Sequence, residues 1–451
     1  MTNLENEVMA ITEEQLSQEQ QKAIQTIMEG HNIFIQGQAG SGKSAFIKFL
    51  QTHSLKNIVL CSPTGIAALN IGGVTLHSLF RLPISDYITD AELFRMNRKK
   101  VWGTIKAIDI LIIDEVSMVR PDVLDAVDKV CRRAKNNSNT PFGGIQVVLI
   151  GDLYQLPPVI KNTSIPQFVE LYGTNSPYFF DANSYKEGQF RIIKFTKVFR
   201  QNDNELLKNL INIRTAKNIP STLKYFNNCK ISEENRLKTA VTITPYRAIA
   251  EEINNTCLKN LKTKAKTFKA TLTGTFRTAS DSNCPAQKEL TLKEGALVIF
   301  NRNDSDKQWV NGSIGIVDKM NSHFLTVTLV STGETVVVQR ETWENKEYTT
   351  KLEKKYNALS DKIEEKEVIK EKIIGEFMQF PLQLGYGLTI HKAQGKTLDC
   401  VNIDLDKGAF AHGQLYVALS RTRTKADMNI VSRITPRDII FDIRVSEFLN
   451  K

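Results

Sequence analysis

Three features of the sequence predict an α/β fold built on parallel sheets. Residues Gly37-Gln38-Ala39-Gly40-Ser41-Gly42-Lys43-Ser44 form a complete G-x-x-x-x-G-K-[ST] loop. The acids Asp114-Glu115 close a continuous apolar run, Ile110-Leu-Ile-Ile113, of the kind that makes a buried central strand. Strand-like runs also alternate with amphipathic stretches from residue 12 to 200 and again from 241, where a β-rich interval at 266–340 interrupts the pattern before it resumes near 400.

The loop comes first because it predicts both a ligand and a geometry. Asn32-Ile-Phe-Ile-Gln36 before it reads as a strand and Ala45-Phe-Ile-Lys-Phe-Leu50 after it as a helix, the context the motif requires. Its glycines let backbone N–H groups close round a polyphosphate, and the helix start adds partial positive charge. The expected ligands are ATP and Mg²⁺. Lys43 reaches the β/γ-phosphates, and the Ser44 hydroxyl holds the metal. In open α/β sheets ligands sit at the carboxyl ends of strands. Asp114 is therefore the second metal-side group, and Glu115 the one that polarises the attacking water. A further strand, Gln146-Val-Val-Leu-Ile150, ends in Gly151-Asp152-Leu-Tyr-Gln155, which makes Gln155 the candidate γ-phosphate sensor.

The second half repeats the pattern with an interruption. Val241-Thr-Ile-Thr244 is a strand, and Ala248 to Leu261 is helix-like. Between 266 and 340 come short alternating runs: Ala296-Leu-Val-Ile-Phe300, Ile314-Gly-Ile-Val317 and Leu325-Thr-Val-Thr-Leu329. The turn signals Asn311-Gly312 and Thr332-Gly333 separate them, as in a small inserted β-barrel. The strand Cys400-Val-Asn-Ile-Asp404 resumes the α/β pattern. Residues 341–374 carry eight lysines and nine acids, and Leu352, Tyr356, Leu359 and Ile363 fall at helical spacing. That spacing predicts a solvated helical arm packed on the barrel.

Composition sets the remaining bounds. A chain of 451 residues holds two to four domains. No apolar run is long enough to span a membrane, and the first residues lack a signal or transit pattern. Six cysteines stand at scattered positions with no C-x-x-C pair, which fits a reducing compartment. The formal charge of +10 favours a polyanionic partner. Residues 341–374 are nearly neutral, so the basic excess lies elsewhere. Arg200 in Val198-Phe-Arg200-Gln201 and Arg421 in Tyr416-Val-Ala-Leu-Ser420-Arg421 are the candidate cations that a second lobe brings to the phosphates.

The motifs together resemble a known family. Gln20, the phosphate loop, Ser62-Pro-Thr64-Gly65-Ile-Ala-Ala, Thr75-Leu-His77-Ser-Leu-Phe80 and Asp114-Glu115-Val-Ser-Met118 occur in its order. Pro141-Phe-Gly-Gly144, Gly151-Asp152-Leu-Tyr-Gln155-Leu-Pro-Pro-Val159, Val198-Phe-Arg200-Gln201, Leu388-Thr389-Ile-His391-Lys392-Ala-Gln394-Gly395 and Tyr416 to Arg421 follow. From about residue 16 to 450 the chain resembles the superfamily-one 5′-to-3′ DNA helicases of the petite-integration-frequency (Pif) type, relatives of the RecD motors. The resemblance implies two RecA-like P-loop motor domains, a small wedge insertion and a Src-homology-3-like β-barrel insertion. The first motor domain is expected over 1–197 with the wedge at 82–100. The second is expected over 198–265 and 385–451, with the insertion over 266–384. Gln20 would read the adenine edge, and Gly395 would join the loop residues at the nucleotide. Arg200 and Arg421 would be the γ-phosphate arginines, and Asp114 would hold Mg²⁺ partly through water. Thr64, Gly65, Thr75, His77, Thr389, His391 and Lys392 would line a single DNA strand at its phosphates.

The implied activity is ATP-dependent 5′-to-3′ unwinding of duplex, with G-quadruplexes or RNA–DNA hybrids within the family's range. The rivals are a translocase with little unwinding and an ATP-gated DNA-binding accessory protein. The expected partners are single-stranded DNA and single/double-strand junctions, with a monomer as the motor unit. The long N-terminal extension of eukaryotic relatives is missing, which suggests a bacterial or viral cytoplasmic protein.

Overall fold

The computed structural model describes residues 16–450 apart from 55, 202, 280–283 and 358–361, with backbone only at 235, 354–357 and 362–366. The chain divides into two compact units. Among the described residues, the first comprises 16–152, 158–199 and 346–373, and the second 153–157, 200–345 and 374–450.

The first unit is built on six parallel strands. They are β1 (Ile33–Gly37), β2 (Ile58–Ser62), β3 (Val74–Thr75), β4 (Ile110–Ile113), β5 (Gln146–Gly151) and β6 (Arg191–Phe195), in the order β3-β2-β4-β5-β1-β6. The runs Ile33-Phe-Ile35, Ile110-Leu-Ile-Ile113 and Val147-Val-Leu-Ile150 are wholly buried. That is the mark of parallel strands covered on both faces, and it explains why they read as unbroken apolar stretches. Helix α1 (Gln18–Met28) starts with a capping box, in which Ser17 Oγ accepts from the Gln20 amide and Gln20 Oε1 accepts from the Ser17 amide. Helix α2 (Lys43–His53) packs Phe46, Ile47 and Leu50 onto Ile33, Ile35 and Val148.

The helix Pro121–Ala134 carries three buried carboxylates, each satisfied by the backbone of a different segment. Asp122 accepts from the Ile88 amide, Asp125 from the Ser184 amide and Asp128 from the Phe142 amide. One helix thereby fixes three loops, and each buried carboxylate is hydrogen-bonded.

In the second unit, Gly387–Thr389, Val241–Thr244, Val401–Ile403 and Met428–Ile430 form a four-stranded parallel sheet in that order. A five-stranded antiparallel sheet occupies the predicted β-rich interval, with Leu297–Phe300, Ile314–Met320, Phe324–Leu329 and Thr335–Gln339 as successive neighbours. Its core gathers Phe268, Leu290, Val298, Phe300, Trp309, Val327 and Phe380.

The charged segment departs from expectation. Residues 341–374 are not a helical arm but parts of two long strands, Glu341–Asn357 and Lys362–Gln379. Lys346 pairs with Glu371, Lys370 with Glu353 and Lys372 with Glu347, so opposite charges face each other across the hairpin. Of the four residues at helical spacing, Leu352 is 60% exposed, Leu359 lies outside the described residues, and at Tyr356 and Ile363 only backbone is described. Residues 346–373 also belong to the first unit rather than to the insertion. There the buried Tyr348 hydroxyl accepts from the Leu60 amide, and Thr104 Oγ1 donates to the Tyr348 carbonyl at 3.0 Å.

Candidate nucleotide site

The loop after β1 takes its shape from glycine. Gly40 and Gly42 have φ of 78° and 81°, left-handed values that carry little cost only without a Cβ. A Cβ at Gly37 would lie 2.6 Å from Ser41 Oγ and 2.9 Å from the Lys43 side chain. Ala39 is buried in the loop, and Ser44 is exposed on the first turn of α2. Lys43 Nζ donates to the carbonyls of Gly37 at 2.9 Å and Gln38 at 3.1 Å, which folds its ammonium over the loop.

Asp114 follows directly on β4 and is 7% exposed. Burial, reinforced by the neighbouring Glu115 charge and opposed by Lys43, pushes its carboxyl up to about 7. Its Oδ1 and the buried Ser41 Oγ have no hydrogen-bond partner. An orphaned buried carboxylate oxygen near a phosphate loop suits a divalent cation, which favours the ionised form. The residues present therefore fit Mg²⁺. Glu115 has φ 51°, a left-handed conformation rare for a non-glycine residue and frequent at functional sites.

Gln20 is 4% exposed, and its Nε2 would lie 3.0 Å from a Cβ placed at Gly42. Phe199, absent from the sequence expectations, stands at the same spot. Its amide donates to the Gly40 carbonyl at 2.8 Å, its ring would lie 3.4 Å from that Cβ, and it is 49% exposed. The available signal was an aromatic residue directly before Arg200.

The second unit gathers another group. Gln155 is buried. Arg200 donates to the carbonyls of Ser420 and Gly395, and Gln201 donates to those of Ser420 and Thr422. Arg421 is placed differently from a guanidinium held out to a ligand. It is 1% exposed and donates to the carbonyls of Val417, Ala393 and Lys396 and to Ser420 Oγ. In this conformation it positions the loop that contains Gly395. Lys396 was not foreseen either. Its amine, pushed down to about 8 by burial, donates to Asn311 Oδ1 in the turn between the strands Leu297–Phe300 and Ile314–Met320.

Thr64, Thr75 and Thr389 share one geometry. Each follows a parallel strand and caps a short helix through its hydroxyl, accepting from the amides of Ala67, Ser78 and Lys392. Gly65 opens the helix that Thr64 caps. His77 is half-buried, and its pKa is held below the usual value by burial first and by Arg120 next, with Asp122 opposing. The ring is therefore neutral at neutral pH. His391 and Lys392 are exposed. Among the described residues no His, Cys, Asp and Glu cluster could hold a metal by itself, and no helix is long and apolar enough to cross a membrane.

A phosphate loop after β1, an acid pair after β4 and two parallel sheets define a P-loop NTPase with two RecA-like folds. A family model described as PIF1-like helicase matches residues 15–237. The chain is 30% identical over 445 residues to the ATP-dependent DNA helicase Pif1 of Bdellovibrio bacteriovorus, covering 98% of this chain and 93% of that one. It is 30% identical over 450 residues to the ATP-dependent DNA helicase PIF1 of Homo sapiens, of which it spans 64%. Among solved structures, Bacteroides sp Pif1 in complex with ADP-AlF4 aligns at 35% identity with a TM-score of 0.84. Bacteroides Pif1 bound to ssDNA aligns at 36% identity with a TM-score of 0.67, and both alignments cover 96% of each chain. The chain belongs to the PIF1-like helicase family and is an ATP-hydrolysing helicase.

Proposed function

We propose that the protein is an ATP-dependent DNA helicase that moves 5′-to-3′ along single-stranded DNA and opens duplex at single/double-strand junctions, with a monomer as the motor unit. The observation that carries the reading is the phosphate loop with its unsatisfied Asp114 and Ser41 oxygens, in a chain of this family. A relative is known bound to ssDNA, which supports the choice of strand.

The chain's own residues divide the work. Backbone amides of 37–44 cradle the triphosphate, and Lys43 moves from the loop carbonyls to the β/γ-phosphates. Ser44 and Asp114 would hold Mg²⁺, Asp114 partly through water; when bound, the metal supplies positive charge beside the phosphate oxygens. Glu115 orients the attacking water and takes its proton. Gln155 senses the γ-phosphate, and Arg200 stabilises the charge of the transferring group. Thr64, Gly65, Thr75 and Thr389 shape backbone turns against the strand phosphates, with His77, His391 and Lys392 beside them. Residues 82–100 act as the wedge.

Gln20 and Phe199 offer an amide edge and an aromatic face to adenine. Base–aromatic stacking contributes about 1–3 kcal/mol by alanine substitution. Phe199→Ala is therefore expected to raise the KM for ATP by roughly 5- to 100-fold while leaving kcat at saturation nearly unchanged. Steady-state ATPase kinetics check this, and an unchanged KM removes Phe199 from the base site.

Matched 5′-tailed and 3′-tailed duplexes test the whole reading. With ATP and Mg²⁺ the 5′-tailed duplex is unwound and the 3′-tailed one is not. The reverse preference overturns the polarity. DNA-stimulated hydrolysis without strand displacement makes the protein a translocase, and DNA binding without stimulated hydrolysis makes it an accessory protein.

A further inference from the structure

Between Glu252 and Asp281 the chain carries five lysines and one arginine and no acid. Six of the formal +10 charges therefore sit in one stretch, which answers where the basic excess lies. The stretch runs from the end of the helix Arg247–Asn260 into the strand Lys266–Lys269, which pairs antiparallel with Glu289–Leu292. Lys259, Lys262, Lys264, Lys269 and Arg277 are exposed.

The fold adds further cations and holds the stretch in place. Arg340 Nη1 donates to the Lys269 carbonyl at 2.8 Å, which brings a guanidinium beside Lys269. Lys288 and Lys293 spend their ammonium groups on the carbonyls of Ala279 and Leu261. Thr263 Oγ1 donates to the Glu294 carbonyl, and Thr267 and Thr291 join hydroxyls across the strand pair. The acids on the segments bonded to the stretch are Glu289, 3.5 Å from Lys269, Glu294 beside Thr263 and Glu376 beside Thr273; all three are exposed, so they offset little charge. Like charges fixed so close together repel, and a polyanion relieves that repulsion.

The aromatic residues narrow the partner. Surfaces that grip single strands interleave cations with exposed rings on which bases stack. Here Phe268 and Phe276 are both buried, and the Phe268 ring faces the barrel core. Among the described residues of the stretch, the exposed side chains offer charge without a stacking platform. That suits a stacked helix whose phosphates alone are outside.

We propose that this basic ribbon, centred on Lys262, Lys264 and Lys269 with Arg340 beside Lys269, is a docking surface for the phosphate backbone of duplex DNA, separate from the residues that grip the single strand. The proposal rests on the helicase reading for its choice of nucleic acid. Its role is to hold the double-stranded arm while the motor works on the single strand. Contacts to phosphates alone make the binding independent of sequence.

The test uses the full chain carrying Lys262→Glu, Lys264→Glu and Lys269→Glu together, with the corresponding triple Lys→Arg variant as the charge-preserving control. The probes are a blunt duplex and a short oligothymidylate, each across a salt series. Each lost phosphate contact flattens the slope of log K against log salt by about 0.9 on duplex. The Glu variant is expected to bind the blunt duplex on the order of tenfold more weakly or worse, with a slope flatter by about 2–3. Its affinity for the oligothymidylate, and the ATPase that the oligothymidylate stimulates, stay at the wild-type level. The Arg variant behaves as wild type. Unchanged duplex affinity in the Glu variant overturns the proposal, as does an equal loss for the oligothymidylate. If wild-type ATPase ignores every DNA probe, the helicase reading fails, while the duplex measurement still decides on the ribbon.

Discussion

Glu115→Gln is expected to bind ATP as the wild type does and to turn it over on the order of 10²–10⁴ times more slowly, because the amide cannot accept the proton of the attacking water. Lys43→Ala is expected to lose both tight binding and turnover. The two differ because they act at different stages. Lys43 now satisfies two loop carbonyls and is the mobile positive charge of the cradle. Its loss leaves the β/γ-phosphates without their point charge in ground state and transition state alike, which appears in KM and in kcat. Glu115 stands beyond the strand end in a strained left-handed conformation, adjacent to the buried Asp114. Replacement by the isosteric amide keeps that shape. Equilibrium binding of a fluorescent ATP analogue, set beside steady-state hydrolysis, separates the two cases. Near-normal turnover in Glu115→Gln removes it as the base and leaves the water to another group.

How much of this was legible depends on how local each feature is. The phosphate loop was readable because its chemistry is its own backbone, and four fixed positions define it. The strand before Asp114 was readable because a parallel strand covered on both faces must be apolar throughout. The hairpin was not. Opposite charges at short spacing serve a helix through i,i+4 pairs and a hairpin through cross-strand pairs equally well. What decides is the pairing with the next strand and the docking of Tyr348 against Leu60, 288 residues away in sequence. The grouping of 346–373 with the first unit was not readable either, since the segment lies in the middle of the second half of the chain. Phe199 escaped notice because an exposed ring gains meaning only when Gly40 and Gln20 are known to be beside it. The threonines could be named as strand-end residues, but their spending of hydroxyls on helix caps appears only in three dimensions.

The two arginines show the limit most sharply, because a motif supplies a residue type and not its acceptors. Both were expected to meet the γ-phosphate, and their hydrogen bonds separate them. Arg200 is partly accessible and makes longer bonds, 3.3 Å to the Ser420 carbonyl and 3.5 Å to the Gly395 carbonyl. Its guanidinium can leave those carbonyls for a phosphate at small cost. Arg200→Ala is accordingly expected to fold normally and lose up to about 10³-fold in kcat, the lower end for arginines of this kind. Arg421 is buried and donates at 2.6 Å to the Val417 carbonyl and at 3.1 and 3.2 Å to those of Ala393 and Lys396. Arg421→Ala removes the charged donor from three carbonyls, of which Val417 keeps the Ser420 hydroxyl and Ala393 keeps the Lys396 amide, and opens a cavity the size of a guanidinium. With charged hydrogen bonds at about 1.5–3 kcal/mol each, partly offset by entering water, the expected loss of stability is about 3 kcal/mol or more. Arg421→Lys keeps the charge but cannot reach three carbonyls with one ammonium, so it recovers little of that stability. Thermal melting of the three variants beside DNA-stimulated kcat reads both effects. If Arg421→Ala melts with the wild type and loses only turnover, Arg421 is not the post that holds the Gly395 loop, and it belongs with Arg200 as a group that meets the phosphate directly.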